Sequence, residues 1–351
     1  MQPSRIYSAA FSNQSLTAKN NGDETITLTV SGKLDNMFMT VANFPTMDLG
    51  VSSTAQYRLR KINAPCVLAL HPSASDALVL DSNAKINAAD CRVHSNSSSS
   101  RGIEAKSNSL VSADSICVVG SAAGGASHYS PAPEVGCPVL ADPLATVPAP
   151  VVPNCDFSNK VYDNKTVTID PGVYCGGISI LNNSVVTFRP GIYFVKDGKF
   201  FVDSNAKVQG DGVGSYLTGN NATLHFTSNT RIDFTAPSTG ALAGILFFED
   251  RSAPVERLHY FDSNSITRET GSMYLSRGIF STDSNSTIAA NSAFTNVIAR
   301  KVWIKSNASL TLNADYGATT VPNVAVYYEG VGSRMAGKVN LALPMRNRRM
   351  T

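Results

Sequence analysis

The sequence predicts an all-β chain: a right-handed parallel β-helix, or solenoid, behind a small N-terminal β-rich module. Three observations carry that expectation. Eight short turns recur, each ending on Asn: Asp81-Ser82-Asn83, Ser107-Asn108, Asn182-Asn183, Asp203-Ser204-Asn205, Ser228-Asn229, Asp262-Ser263-Asn264, Asp283-Ser284-Asn285 and Ser306-Asn307. Successive turn Asn residues stand 25, 75, 22, 24, 35, 21 and 22 positions apart. A repeat near 22 residues is thus interrupted twice, and one coil of a parallel β-solenoid has that size. The flanks of the turns alternate apolar and polar residues without a helical period. Leucine-rich repeats share the short period but need regularly spaced leucines, which are missing.

Asn suits such a corner because its short amide side chain tolerates the left-handed backbone region that a sharp bend requires. Amides stacked at one corner of successive coils can also bond along the axis. We therefore expect Asn83, Asn108, Asn183, Asn205, Asn229, Asn264, Asn285 and Asn307 to form a turn ladder, a scaffold before anything else. Right-handedness follows from the sterics of parallel crossover connections.

Composition sets the limits. The 351 residues are 43% hydrophobic and 16% charged, enough for a core and contrary to disorder. A net charge of +3, thinly spread, makes no case for nucleic acid. No apolar run approaches the roughly 18 to 20 residues of a membrane helix, and no signal peptide precedes the first strand. The expectation is a chain soluble as it stands, or one whose export segment lies upstream of it.

All six cysteines fall between positions 66 and 175. Six allow fifteen connectivities, but spacing narrows them. Cys66 and Cys91 are 25 apart, like Asn83 and Asn108, so they belong at one position on neighbouring coils. Strands about 4.8 Å apart suit a disulfide. Cys155 and Cys175 can stack likewise, which leaves Cys117 with Cys137. No Cys-x-x-Cys pair suggests zinc, and the set points to an oxidising, extracytoplasmic compartment.

In chain order, residues 1–61 lack the repeat. Glu24 to Val30 alternates strictly and reads as a strand that Ser31-Gly32 ends; Gln56 to Arg60 reads as another. Residues 62–345 are the solenoid of roughly ten coils, and 346–351, with Arg346, Arg348 and Arg349, are a solvated basic tail. Coils begin at Cys66-Val67-Leu68-Ala69-Leu70. Residues 120–159 carry Gly124-Gly125 and seven prolines from Pro131 to Pro153, too many for a ladder that needs every N–H. They read as a long surface excursion pinned by Cys117, Cys137 and Cys155. Coils resume at Thr166, and Pro171-Gly172-Val173-Tyr174 and Pro190-Gly191-Ile192-Tyr193 mark a second corner. Residues 191–205 align without a gap on 271–285. Gly176, Gly198 and Gly278 each stand seven residues before a turn Asn, as for a bend intolerant of Cβ. A second insertion, 230–262, holds the apolar run from Ile245 to Phe248. Strands at 291–305 and 321–328 complete the repeat, and Gly337 to Leu343 is expected to cap its C-terminal end.

Several ordered segments carry a family resemblance: Cys-Val-Leu-Ala-Leu at Cys66, the repeated Ser-Asn turns, Ile116-Cys117-Val118-Val119-Gly120, Gly136-Cys137-Pro138 with Asp142-Pro143, Pro171 to Ile178, and Gly244 to Arg251. Together they resemble the β-solenoid form of TadG-like proteins of the bacterial Tad/Flp pilus assembly system, over about residues 62–343. The resemblance implies an envelope protein with an N-terminal membrane helix, absent from this chain, then a short extracytoplasmic module and the solenoid outside the cell. It carries over no catalytic residues.

Chemistry is weighed against structure residue by residue. Asp81, Asp203, Asp262 and Asp283 share one position in their coils. A carboxylate column can bind Ca²⁺ or serve acid/base work on a sugar, but each comes with the same Ser-Asn, so turn capping is favoured. Glu249-Asp250-Arg251 breaks the repeat beside an insertion and is a possible surface contact, for a glycan or a partner, or a surface salt-bridge cluster. The five histidines are scattered, with neither a metal pair nor a triad. Gly210 to Gly214 precedes no helix and reads as a loop rather than a phosphate cradle. Trp303 reads as core. Tyr260, Phe261 and Tyr274 read as stacked between coils, with sugar contact the other option. The expectation is a non-enzymatic surface protein without cofactor or metal, whose partners are pilus assembly or pilin components or a surface glycan. The alternative is a carbohydrate-active β-helix enzyme, a polysaccharide lyase or hydrolase.

Overall fold

The computed structural model describes residues 11–21, 25–35, 46–56, 58–61, 65–325 and 328–331. The chain divides into two compact units, residues 1–62 with 328–351, and residues 63–327. Both are β; among the described residues the one helical segment is the 3-10 turn Ala126–His128. No described helix is long and apolar enough to cross a membrane.

In the first unit, Phe11–Asn20, Thr25–Asp35 and Thr46–Gln56 form a three-stranded antiparallel sheet. Of the alternation read from Glu24 to Val30, Thr25 to Val30 is strand, Glu24 lying outside the described residues, and pairing on both edges carries the strand through Ser31-Gly32 to Asp35. Arg58–Lys61 pairs antiparallel with Tyr328–Val331. That pairing corrects two expectations: Val321 to Ala325 is irregular rather than strand, and the second unit ends at 327 rather than 345. The cap expected at Gly337 to Leu343 and the basic tail lie outside the described residues.

The second unit holds one sheet of 24 parallel-paired strands. Gly172–Leu181 and Val185–Phe188 show its plan. The first strand bends at Gly176-Gly177, dividing into two faces, A and B; Asn182-Asn183 turns the chain onto face C; Pro190-Gly191 returns it to face A one tier on. Each face pairs in parallel with the same face of the next tier: Tyr174 with Val195, Ile178 with Phe200, Val185 with Lys207. The bend tolerates only glycine, because a Cβ at Gly198 would collide with the backbone of Gly176.

Stacking order departs from chain order. From one end, the tiers are 157–169, 172–188, 191–210, 213–235, 245–270, 271–288 and 295–311. The next tier is not C-terminal but N-terminal. Val297 pairs with Val67, Val302 with Leu78 and Ser309 with Lys85, so 65–88 lies on 295–311, followed by 92–113 and 115–130. The chain enters this unit in mid-stack, climbs to one end, returns to the other and climbs back to its own entry point.

The return is the strap 137–155, and the interval of 75 between Asn108 and Asn183 measures this return rather than an insertion within a coil. Its limits are narrower than the expected 120–159, since Ala122–Ala123, Tyr129–Ser130 and Glu134–Val135 still pair with the end tier. The 230–262 insertion is likewise two corner loops, 236–244 and 250–257, with the buried strand Ile245–Glu249 between them.

Inside the stack, Phe188, Phe200, Phe226, Phe234, Phe247, Phe261 and Phe280 are at most 2% exposed. Neighbouring rings sit at centroid separations between 4.6 and 6.5 Å, mostly tilted or edge-to-face, the arrangement ring quadrupoles favour. Burial of each such side chain contributes roughly 1.5–3 kcal/mol.

Candidate functional site

The turns come first, because they position everything beside them. Both residues of seven turns have positive φ, from Ser82 and Asn83 (56° and 63°) to Ser306 and Asn307 (50° and 66°). Two left-handed residues in succession reverse the chain within one peptide, and Asn bears that conformation at low cost. Asn264 is the exception. Ser263 there is buried and donates to the Thr230 carbonyl (2.5 Å), and the pairing with the previous tier slips by one residue after Ile232. Side-chain amide bonds run from Asn83 to Asn307 (2.9 Å) and from Asn264 to Asn229 (2.7 Å). The first crosses the joint between the N- and C-terminal tiers.

The Asp residues of the turns divide. Asp203 accepts from the Ser204 amide (2.7 Å) and the Thr227 hydroxyl (3.0 Å), Asp283 from the Ser284 amide (2.6 Å), and Asp81 pairs with Lys106 at 3.6 Å. These three cap their turns. Asp262 differs: burial, outweighing a backbone hydrogen bond and reinforced by the Asp283 charge, pushes its carboxyl up to about 6.

Glu249 does not lie at the surface, which corrects the reading of Glu249, Asp250 and Arg251 as one surface contact; Asp250 and Arg251 are half-buried. Alternation at the end of a strand sends them to three environments. Glu249 is fully buried, with Oε1 taking Arg257 (2.7 Å) and His259 (3.1 Å) and Oε2 taking the amides of Arg277 (2.9 Å) and Gly278 (2.7 Å). The amide of Leu224 donates to His259 Nδ1 at 3.2 Å, so Nε2 carries the hydrogen toward Glu249. Burial alone would raise the Glu249 carboxyl; the hydrogen bonds from His259 and Arg257 and the Arg257 charge outweigh it and hold it below the ordinary glutamate range. Asp250 accepts from Thr218 (2.8 Å) and from the Ser252 amide (2.8 Å), closing its own loop.

Arg251 anchors the strap. On face A, Phe194, Tyr216, Phe248 and Tyr274 form an outward column with centroids 6.0, 5.5 and 5.0 Å apart. The Arg251 guanidinium lies 4.9 Å from the Phe248 ring and 5.2 Å from that of Tyr274. Its Nη1 donates to the Val147 carbonyl (3.0 Å) and its Nη2 to that of Leu144. Tyr274 donates to Asp142 at 2.6 Å, and Asn96 brackets Leu140 with two bonds to its backbone (2.8 and 2.9 Å). The strap thereby covers the column, which is why Phe248 and Tyr274 show no exposed surface.

Disulfides hold both ends of the strap. Cys117 bonds Cys137 at one end of the stack and Cys155 bonds Cys175 at the other, while Cys66 bonds Cys91 between adjacent tiers; Cα separations are 6.0, 5.7 and 5.7 Å. Three disulfides point to an oxidising, extracytoplasmic location.

Among the remaining candidates, Trp303 is half-buried rather than core, its indole N–H donating to the Asp76 carbonyl (2.9 Å). Tyr260 is half-buried with its ring 4.8 Å from that of His225, and Phe261 and Tyr274 are buried. The buried group of Glu249, Arg257 and His259 escaped sequence reading. Its members stand eight and ten residues from Glu249 with no motif between them, and only the corner loop 250–257 brings them together.

No family model, no curated protein and no solved structure matches this chain.

Proposed function

We propose that the tiers are coils of a right-handed parallel β-solenoid and that the protein is a non-enzymatic component of the bacterial cell surface, associated with Tad/Flp pili in their assembly or in adhesion. One observation carries the reading. The repeat stack is closed by a strap whose two ends are disulfide-bonded and whose middle is held by Arg251, Tyr274 and Asn96. Such cross-linking suits a durable body presenting long faces outside the cell. The motifs from Cys66 to Arg251 that resemble TadG-like proteins supply the pilus. Pilus assembly or pilin components, or a surface glycan, are the partners this reading implies.

The test is made in cells. The gene is deleted, cells are sheared, the sheared fraction is blotted for major pilin, and surface attachment is scored. Loss of pili assigns the protein to assembly. Intact pili with reduced attachment assign it to adhesion, and no change in either refutes the pilus reading.

A carbohydrate-active enzyme is the second reading, favoured by Asp262. Burial raises the Asp262 carboxyl to about 6, with the neighbouring Asp283 charge adding to it, the range of a general acid on a sugar. Depolymerisation of acidic polysaccharides by the purified chain, abolished in Asp262→Asn, would establish it; no depolymerisation removes it.

A further inference from the structure

The turn ladder runs one way. In five turns the Asn amide donates to the turn carbonyl of the following tier: Asn183 to Ser204, Asn205 to Ser228, Asn285 to Ser306, Asn307 to Ser82 and Asn83 to Ser107, at 2.8 to 3.1 Å. Asn108 is the last in that column. The tier above it replaces the Ser-Asn turn with Gly124, Gly125 and the 3-10 turn Ala126–His128. No carbonyl takes the Asn108 N–H among the described residues.

A pocket of about 460 Å³ opens at this break, with Lys85, Asn108, Leu110, Ser127 and His128 among its walls. Lys85 pairs in register with Leu110, and His128 directly precedes Tyr129, the partner of Val111, so the three occupy one position on successive tiers. Lys85 is exposed and has no acid within ion-pair reach among the described residues. The nearest turn carboxylate, Asp81, is taken by Lys106 and the Ser82 hydroxyl. His128 Nδ1 donates to the Ser109 carbonyl at 2.7 Å, which fixes the ring against the wall.

We propose that this pocket binds a small oxyanion, the carboxylate or phosphate of an acidic saccharide. The Lys85 ammonium meets the charge, the Asn108 N–H and the Ser127 hydroxyl donate to the oxygens, and Leu110 receives the apolar face of the sugar ring. Charge-assisted bonds to a fixed N–H are the strong kind, and the volume lies in the range of small-ligand sites. The ladder sets the site apart: in five of the other six regular turns the donor equivalent to Asn108 N–H is spent on the next tier, and at the sixth the Asn264 side-chain amide of the next tier bonds to Asn229.

The site does not rest on the pilus reading, because binding is measured on the purified chain and attachment in cells. The full-length protein is titrated with sodium glucuronate, inorganic phosphate and glucose while the amide resonance of Asn108 is followed by NMR. The expected result is a saturable shift with glucuronate, none with glucose, and about tenfold weaker binding in Lys85→Gln, an exposed substitution. Saturation by phosphate alone assigns the anion to a phosphate source. Absence of a saturable shift with either anion, or unchanged affinity in Lys85→Gln, overturns the proposal.

Discussion

A single peptide unit decides whether each tier closes. Asn205 has φ of 61° and its amide donates to Ser228 at 3.1 Å. Asn205→Gly keeps both features and is expected to alter stability by only a few tenths of a kcal/mol, whereas Asn205→Ala should cost about 1 kcal/mol in chemical denaturation, the left-handed penalty of an ordinary side chain. The charge buried at Glu249 sets a larger scale. Arg257→Met leaves a fully buried carboxylate short of its main counter-charge and should cost about 3–5 kcal/mol. The sign with pH follows from the lowered carboxyl. Its contribution is complete above the ordinary glutamate value of 4.5 and is lost as pH falls through the lower folded value. Glu249→Gln should therefore be less stable than the parent at pH 7 and lose less stability on acidification, which denaturation curves at pH 7 and pH 3 would reveal. Of these features, the Asn was legible in the sequence by repetition. The Glu249 group was not, because a buried ion cluster has no local spacing rule.

The strap is the element on which the fold depends. It carries no regular secondary structure, yet its own Leu144 is fully buried and Arg251 joins its backbone to two rings of face A. Its stability comes from these anchors and from two cross-links, each closing a loop of about 20 residues, which in the chain-entropy account contributes about 3 kcal/mol. The Cys155→Ser/Cys175→Ser double variant should lose about that amount. Limited proteolysis with mass analysis should then find its first new cleavage between Val147 and Asn154, with the tiers still intact; first cleavage within the tiers would contradict this assignment. The prolines and cysteines marked this segment in the sequence as an ordered excursion. Its path along face A was not legible, because Arg251 and Leu144 are 107 positions apart and meet only through the stacking of the tiers.

At the largest scale the second unit is a stack whose order differs from that of the chain. The tier 65–88 completes the edge that 295–311 would otherwise expose, with amide and backbone contacts continuous across the joint. An unpaired edge there would be a template for aggregation. Hydrogen exchange should find Val67 to Ala69 and Leu78 to Leu80 as protected as the central tiers, and Phe157 to Asp163, at the free end with Val161 59% exposed, should exchange first. Fast exchange at 65–69 in the intact chain would mean that the joint is open in solution.

What the sequence by itself determined was the local grammar: parallel β structure, a repeat near 22 residues, left-handed Asn turns, glycine bends and a cysteine spacing that narrows the possible pairs. Each of these is set by a few neighbouring residues or by one period, and backbone sterics leave little choice. Tertiary structure alone decided which tier lies on which, where the strap runs, and how Glu249, Arg257 and His259 share one buried site. Periodicity specifies the spacing of coils but is blind to their order, because every tier presents nearly the same edge to its neighbour. Only burial of the two open ends against each other selects the order found, and with it the place where the ladder stops at Asn108.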